Sequence, residues 1–203
     1  MRVAALIGAL RRHFGSRFVG GLTRTEFTQT HYPHFLSDHS QARVDYVQLV
    51  RSSAIAVSSV GLHGSNPWKL AEYLAGGAAI VSEPLRFAIP ESLDGTATFF
   101  TDVDGCLAAC DDLLSNARVL HEHHERSREY WRKYARPDAL LRRRLTEEFE
   151  SRSRRAHPGP PRTSDALASV RATRAASWVA DWRLSRESRA PLVNYTNAIC
   201  AAA

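Results

Sequence analysis

No apolar run in the sequence approaches the about 18–20 residues that a membrane-crossing helix needs, which excludes a helical membrane span. Cysteine is scarce. Cys106, Cys110 and Cys200 cannot all pair within one chain, and no C-x-x-C or Cys/His framework accompanies them, so a disulfide scaffold is excluded. Cys106 and Cys110 lie four apart among Leu107, Leu113 and Leu114, the spacing of one helical face, and are expected as small core residues. Lysine is scarcer still: Lys69 and Lys133 stand against 25 arginines. No glycine precedes Lys69 and no Ser or Thr follows it, so there is no Walker A loop, and there is no Gly-x-Gly-x-x-Gly fingerprint. The N-terminal "MRVAALIGALRRHF" lacks a clear small-residue cleavage site and runs into Arg11, Arg12 and His13. It reads as a helix or strand of the domain, and the protein is expected to be intracellular and cytoplasmic.

The charge balance is uneven in a way that decides its meaning. The net charge is +6, yet residues 1–150 hold 18 basic and 18 acidic side chains. Residues 151–203 hold nine arginines against Asp165, Asp181 and Glu187, so the tail carries the whole excess. A nucleic-acid-binding body loses its electrostatic support there. The tail is rich in Arg, Ser, Ala and Pro without sustained apolar periodicity, and is expected to be disordered. Trp178 and Trp182, four apart, could form one amphipathic turn within it. Two domains follow: a folded body over 1–150 and a tail over 151–203.

Within the body, residues 24–40 are polar and aromatic and read as a long loop, in which His31 and His34 are surface residues or ligand contacts. The valines 44, 47 and 50 predict a modest helix ending at Ser52 and Ser53. Short apolar, partly β-branched runs predict buried strands at 54–59 and 78–83, and a further short strand at 97–100. A helix is predicted from Val103 to Asn116 with Asp102 as its cap, a further helical stretch over 117–134, and a last helix opened by Pro137. The order predicts βα units on a parallel sheet, a Rossmann-like α/β fold with flanking helices.

Ligands of such sheets bind beyond the carboxyl ends of the strands, and the turn at 60–66 occupies that position. Asn66 followed by Pro67 predicts a helix start, with Gly76-Gly77 as its stop. A helix start offers free N–H groups to a diphosphate. Gly61 and Gly64 would let the backbone approach a ligand closely; His63, Ser65 and Asn66 add donors, and Lys69 a full positive charge. Glu72 is suited to accept hydroxyl hydrogen bonds from a ribose or sugar. From spacing alone, a capped amphipathic helix with a solvated Lys and Glu explains the same residues. The "HEHHE" run at 121–125 offers His121, His124 and Glu125 to a metal, against a solvated helix face, and no metal site is expected. Arg142–Arg144 read as the wet side of the last helix.

The stretch "GLHGSNPWKLAEYLAGGAAIVSEPL" resembles the C-terminal, donor-binding domain of group-1-type glycosyltransferases of the two-Rossmann-domain (GT-B) architecture. The features that carry it are Glu72 on the helix after a glycine-containing turn, Ala75-Gly76-Gly77, and the strand Ala79 to Ser82. It continues through "DVDGCLAACDDLLSN" and "YWRKYARPDALLRRRL" and covers roughly residues 45–148. The resemblance implies a nucleotide-diphospho-sugar as donor substrate, with Glu72 on the ribose and Gly61, His63, Gly64, Ser65, Asn66 and Lys69 around the diphosphate and sugar. It implies metal-independent glycosyl transfer to an acceptor that the sequence does not specify, and a separate N-terminal half or partner subunit to bring that acceptor. Many retaining members have a glutamate eight residues before the first; here that position is Gly64, which leaves the anomeric outcome open. The alternative is a non-catalytic, partner-binding module of the same fold.

Overall fold

The computed structural model describes residues 3–39, 42–61, 64–156 and 198–200. These fall into two units, one drawn from Met1–Leu140 and Val193–Ala203, the other from Leu141–Leu192. The first unit is α/β. Its helices are α1 (Val3–Phe14), α2 (Glu26–His31), α3 (Arg43–Ser52), α4 (Leu70–Gly76), α5 (Val103–Ser115) and α6 (Ala117–Tyr130). Its strands are β1 (Phe18–Gly20), β2 (Ile55–Ser58), β3 (Ala79–Ser82), β4 (Ala97–Phe99) and β5 (Ala198–Cys200). A π turn, Trp131–Ala135, follows α6, and α7 spans Pro137–Ala156.

The sheet order is β1-β5-β2-β3-β4. The pairs β2/β3 and β3/β4 are parallel, in a register that sets Ser58 beside Ser82 and Ser82 beside Phe99. The expected parallel sheet therefore holds for three strands, whereas β5 runs antiparallel to both β1 and β2. Side chains alternate across a strand, and this sheet uses both faces. Ile55, Val57, Ala79 and Val81 join Leu6, Ile7, Leu10 and Phe14 of α1 and Cys106, Cys110 and Leu113 of α5 in one core. Ala56 and Ile80 join Val50, Leu70, Tyr73, Leu74 and Tyr130 in the other. The helices thus form two layers around the sheet. Cys106 and Cys110 are buried, as their spacing predicts.

Local chemistry explains most boundaries. Arg11, Arg12 and His13 close the last turn of α1, where positive charge suits the carboxyl end of a helix. Asp102 caps α5 by accepting from the Gly105 N–H at 2.7 Å. Gly77, at φ 72°, supplies the left-handed residue that ends α4. One expectation is corrected. The 24–40 stretch is not all loop: Thr25 and Thr28 form a reciprocal capping box that starts α2. Helix α7 continues past residue 150 to Ala156, and Ala198–Cys200 pair as β5; the Trp178–Trp182 turn lies outside the described residues.

The histidines of α6 also differ from a solvated face. His121 is exposed, but His123 Nδ1 donates to Thr96 O at 3.3 Å and His124 Nε2 to Ala54 O at 2.8 Å, tying α6 to the strands below. Burial holds the His123 pKa below the ordinary imidazole value, against a raising contribution from the Thr96 carbonyl. A depressed folded-state pKa stabilises the fold above the unfolded value near 6.5, and that stabilisation is lost as pH falls through the folded value. His123→Phe is expected to flatten the loss of stability between neutral and mildly acidic pH, read by urea titrations at several pH values. An unchanged slope would contradict the assignment.

Candidate functional site

The carboxyl ends of β2, β3 and β4 carry the loops that lead from Ser58, Ser82 and Phe99. Each strand end is tied to its neighbour through the main chain: Glu83 N donates to Ser58 O and Phe100 N to Ser82 O, both at 3.0 Å. Glu83 is buried, and its Oε2 accepts from Val60 N at 2.8 Å, fixing the start of the glycine turn. The turn closes on itself, since Gly61 N donates to Ser65 O at 2.7 Å and Gly64 N to Gly61 O at 3.0 Å. Gly64 has φ 76°, and a Cβ there would lie 2.8 Å from Arg86 Nη1 and 2.9 Å from Arg86 Cδ. The Arg86 side chain therefore crosses the turn directly over the glycine.

Asn66 does not cap a helix. Its Oδ1 accepts from the N–H groups of Arg86 and Phe87, each at 3.2 Å, and its Nδ2 donates to Phe87 O at 2.9 Å. The side chain is thereby spent on the 84–87 loop, and α4 begins four residues later, at Leu70, after Lys69. A seat for phosphate at a helix start directly after Asn66-Pro67 is accordingly corrected: the turn and the helix are separate pieces. His63 lies outside the described residues.

Lys69 and Glu72 face another way, towards α3. The Lys69 ammonium sits 4.9 Å from the Tyr46 ring centre and 5.3 Å from that of Trp68. Burial lowers the Lys69 pKa, and the nearby Glu72 charge opposes that fall. Glu72 is not a solvated surface carboxylate, being 18% exposed, against 68% for its partner Arg43. Its Oε1 accepts a short hydrogen bond from Arg43 Nη1, an interaction that raises the Arg43 pKa. Its Oε2 is buried and makes no hydrogen bond of good geometry, although the Tyr46 hydroxyl lies close enough to interact with the carboxylate. The hydroxyls of Tyr46 and Tyr73 are buried beside it, also without a hydrogen bond of good geometry. Burial is the main cause holding both tyrosines well above the ordinary phenol range, with the Glu72 charge adding to it.

These groups border a groove of about 350 Å³ between α3 and α4, lined by Arg43, Tyr46, Glu72, Ala75, Gly76 and Trp131 among others. The structure thus sorts the candidate residues into two sets. Gly61, Gly64, Ser65 and Asn66 belong with Glu83 and Arg86 beyond the carboxyl ends of β2 and β3; Lys69 and Glu72 belong with Arg43 and Tyr46. Glu83 and Arg86 escape the sequence reading, although a charged residue directly after the apolar run "AAIVS" is the signal that points to Glu83. Among the described residues no group of three His, Cys, Asp or Glu side chains could hold a metal ion. Likewise no described helix is long and apolar enough to cross a membrane. No protein-family model matches the chain, and no curated protein or solved structure is significantly similar to it.

Proposed function

We propose that the α/β body binds a nucleotide-diphospho-sugar and acts as the donor half of a glycosyltransferase, with a separate half presenting the acceptor. The observation that carries this reading is the buried Glu72 oxygen, which has no hydrogen bond of good geometry and the Tyr46 hydroxyl beside it. A ribose or sugar brings adjacent hydroxyls, and hydrogen bonds to an ionised carboxylate are among the stronger ones a site can offer. The parallel strand ends support the reading, because open α/β sheets bind ligands beyond those ends. The bare Cα of Gly64 leaves room for close approach once the Arg86 side chain swings aside, and that guanidinium matches a diphosphate in charge and donor geometry. As the diphosphate leaves, Arg86 would stabilise its growing charge. Lys69 takes part only by leaving the two rings that hold it.

Thermal unfolding of the full chain with UDP, GDP, ADP and their sugar conjugates tests the reading. A ligand at about a hundred times its dissociation constant adds about 2.7 kcal/mol, a rise of about 5 °C or more in Tm. One nucleotide class is expected to give that rise, and none doing so would contradict the proposal. A second reading, a binding module without turnover, is favoured by the way the Arg43–Glu72 pair and the Lys69 stack already partner one another. Release of nucleoside diphosphate from a bound donor, with the sugar passed to water or to an acceptor brought by the other half, supports the transferase; binding without release even when an acceptor half is supplied supports the module.

A further inference from the structure

Helix α7 carries an apolar stripe with no cover among the described residues. Leu141, Leu145 and Phe149, four apart and on one side of the helix, are 60%, 61% and 73% exposed. An isolated helix of this length is marginal in water, and helices in proteins draw most of their stability from packing an apolar face. The ion pairs Arg143–Glu147, Arg144–Glu147 and Arg152–Glu148 lie within the helix and add only weakly to it.

The charges flanking Leu145 say what would cover the stripe. Arg142, Arg143 and Arg144 stand just before that residue and Glu147, Glu148 and Glu150 just after, with Asp138 and Arg152 further out on either side. We infer that α7 pairs antiparallel with α7 of a second copy of this chain, about a two-fold axis near Leu145. That axis brings Leu141 of each copy level with Phe149 of the other. It also keeps the same flank of both helices together, and Arg144 and Glu148 share a flank, so Arg144 of each copy comes within reach of Glu148 of the other. A parallel pair would set the three arginines of one copy against those of the other, which like-charge repulsion opposes. The interface is isologous, as a two-fold dimer requires.

Sedimentation velocity of the full chain across a wide concentration range tests the pairing. A monomer–dimer equilibrium is expected, weakening with salt because exposed charges are screened. Leu145→Glu is expected to leave a monomer at every concentration, while the exposure of Leu145 keeps the cost to the fold small. Arg144→Glu and Glu148→Arg should each weaken the dimer about tenfold, and the double reversal should restore it, the signature of a cross-copy pair. A wild-type chain that stays monomeric, or a dimer that Leu145→Glu does not dissociate, would overturn the inference.

Discussion

Replacing Glu72 by alanine is expected to lower nucleotide-sugar affinity at least about tenfold while leaving the fold intact, since each hydrogen bond to a charged group is worth about 1.5–3 kcal/mol. The separation of the two effects comes from the geometry. The carboxylate's one well-formed hydrogen bond is to Arg43, which is largely exposed, and exposed ion pairs contribute little to stability. Its other oxygen is buried with no well-formed bond and the Tyr46 hydroxyl beside it, so removing it relieves the fold of a poorly paired charge. The unfolding midpoint of Glu72→Ala should therefore equal or slightly exceed that of the wild type. Glu72→Gln, which keeps the shape but loses the charge, should fall between the two in affinity. A variant that binds as the wild type does would remove Glu72 from the site; one that unfolds would make it a structural residue.

Gly21→Ala should instead cost stability, about 3 kcal/mol, with no direct effect on the binding loops. A Cβ at residue 21 would lie 2.6 Å from Ser37 N and 2.7 Å from both Leu36 C and Ser37 Cα. All three are main-chain atoms, which cannot rotate away as a flexible side chain can. The crossing also sits in a hydrogen-bonded knot. Leu22 N donates to Phe35 O at 2.7 Å, Ser37 N to Leu22 O at 2.9 Å, and Arg11 clamps Gly20 O and Leu36 O at 3.0 and 2.6 Å. Forcing the two segments apart strains these bonds and exposes Leu22 and Leu36, both core residues. Urea titration should show a lower midpoint at an unchanged slope. An unaltered midpoint would mean that the segments part without cost.

The residues that announce themselves in this sequence are those whose role is local. The runs at 54–59 and 78–83 become β2 and β3, because short β-branched stretches with both faces buried have few other destinations, and the run at 97–100 becomes β4 at the sheet's edge. Asp102 caps α5 and Gly77 ends α4 for the same reason: each acts on its own neighbours. What the sequence conceals is long-range. Asn66 before Pro67 is an ordinary helix start, yet its amide is taken by a loop 20 residues away, a competition no local pattern reveals. The pairing of Ala198–Cys200 between β1 and β2 spans most of the chain. His123 and His124 lie in a charged run, and only the placement of α6 over the strands turns them inward. In the site, Glu72 is legible as a carboxylate just past a glycine turn. Its half-paired state, and the position of Arg86 over Gly64, depend on elements that fold from elsewhere.

Calorimetric titration of the full chain with UDP, GDP and ADP, each free and as its common sugar conjugates, tests the central claim most directly. Saturable binding of one nucleotide class, tighter for a sugar conjugate than for the bare diphosphate, is the predicted result. A folded chain that evolves no binding heat with any of them would contradict the account, and the turn Gly61–Asn66 beyond the end of β2 would then be scaffold.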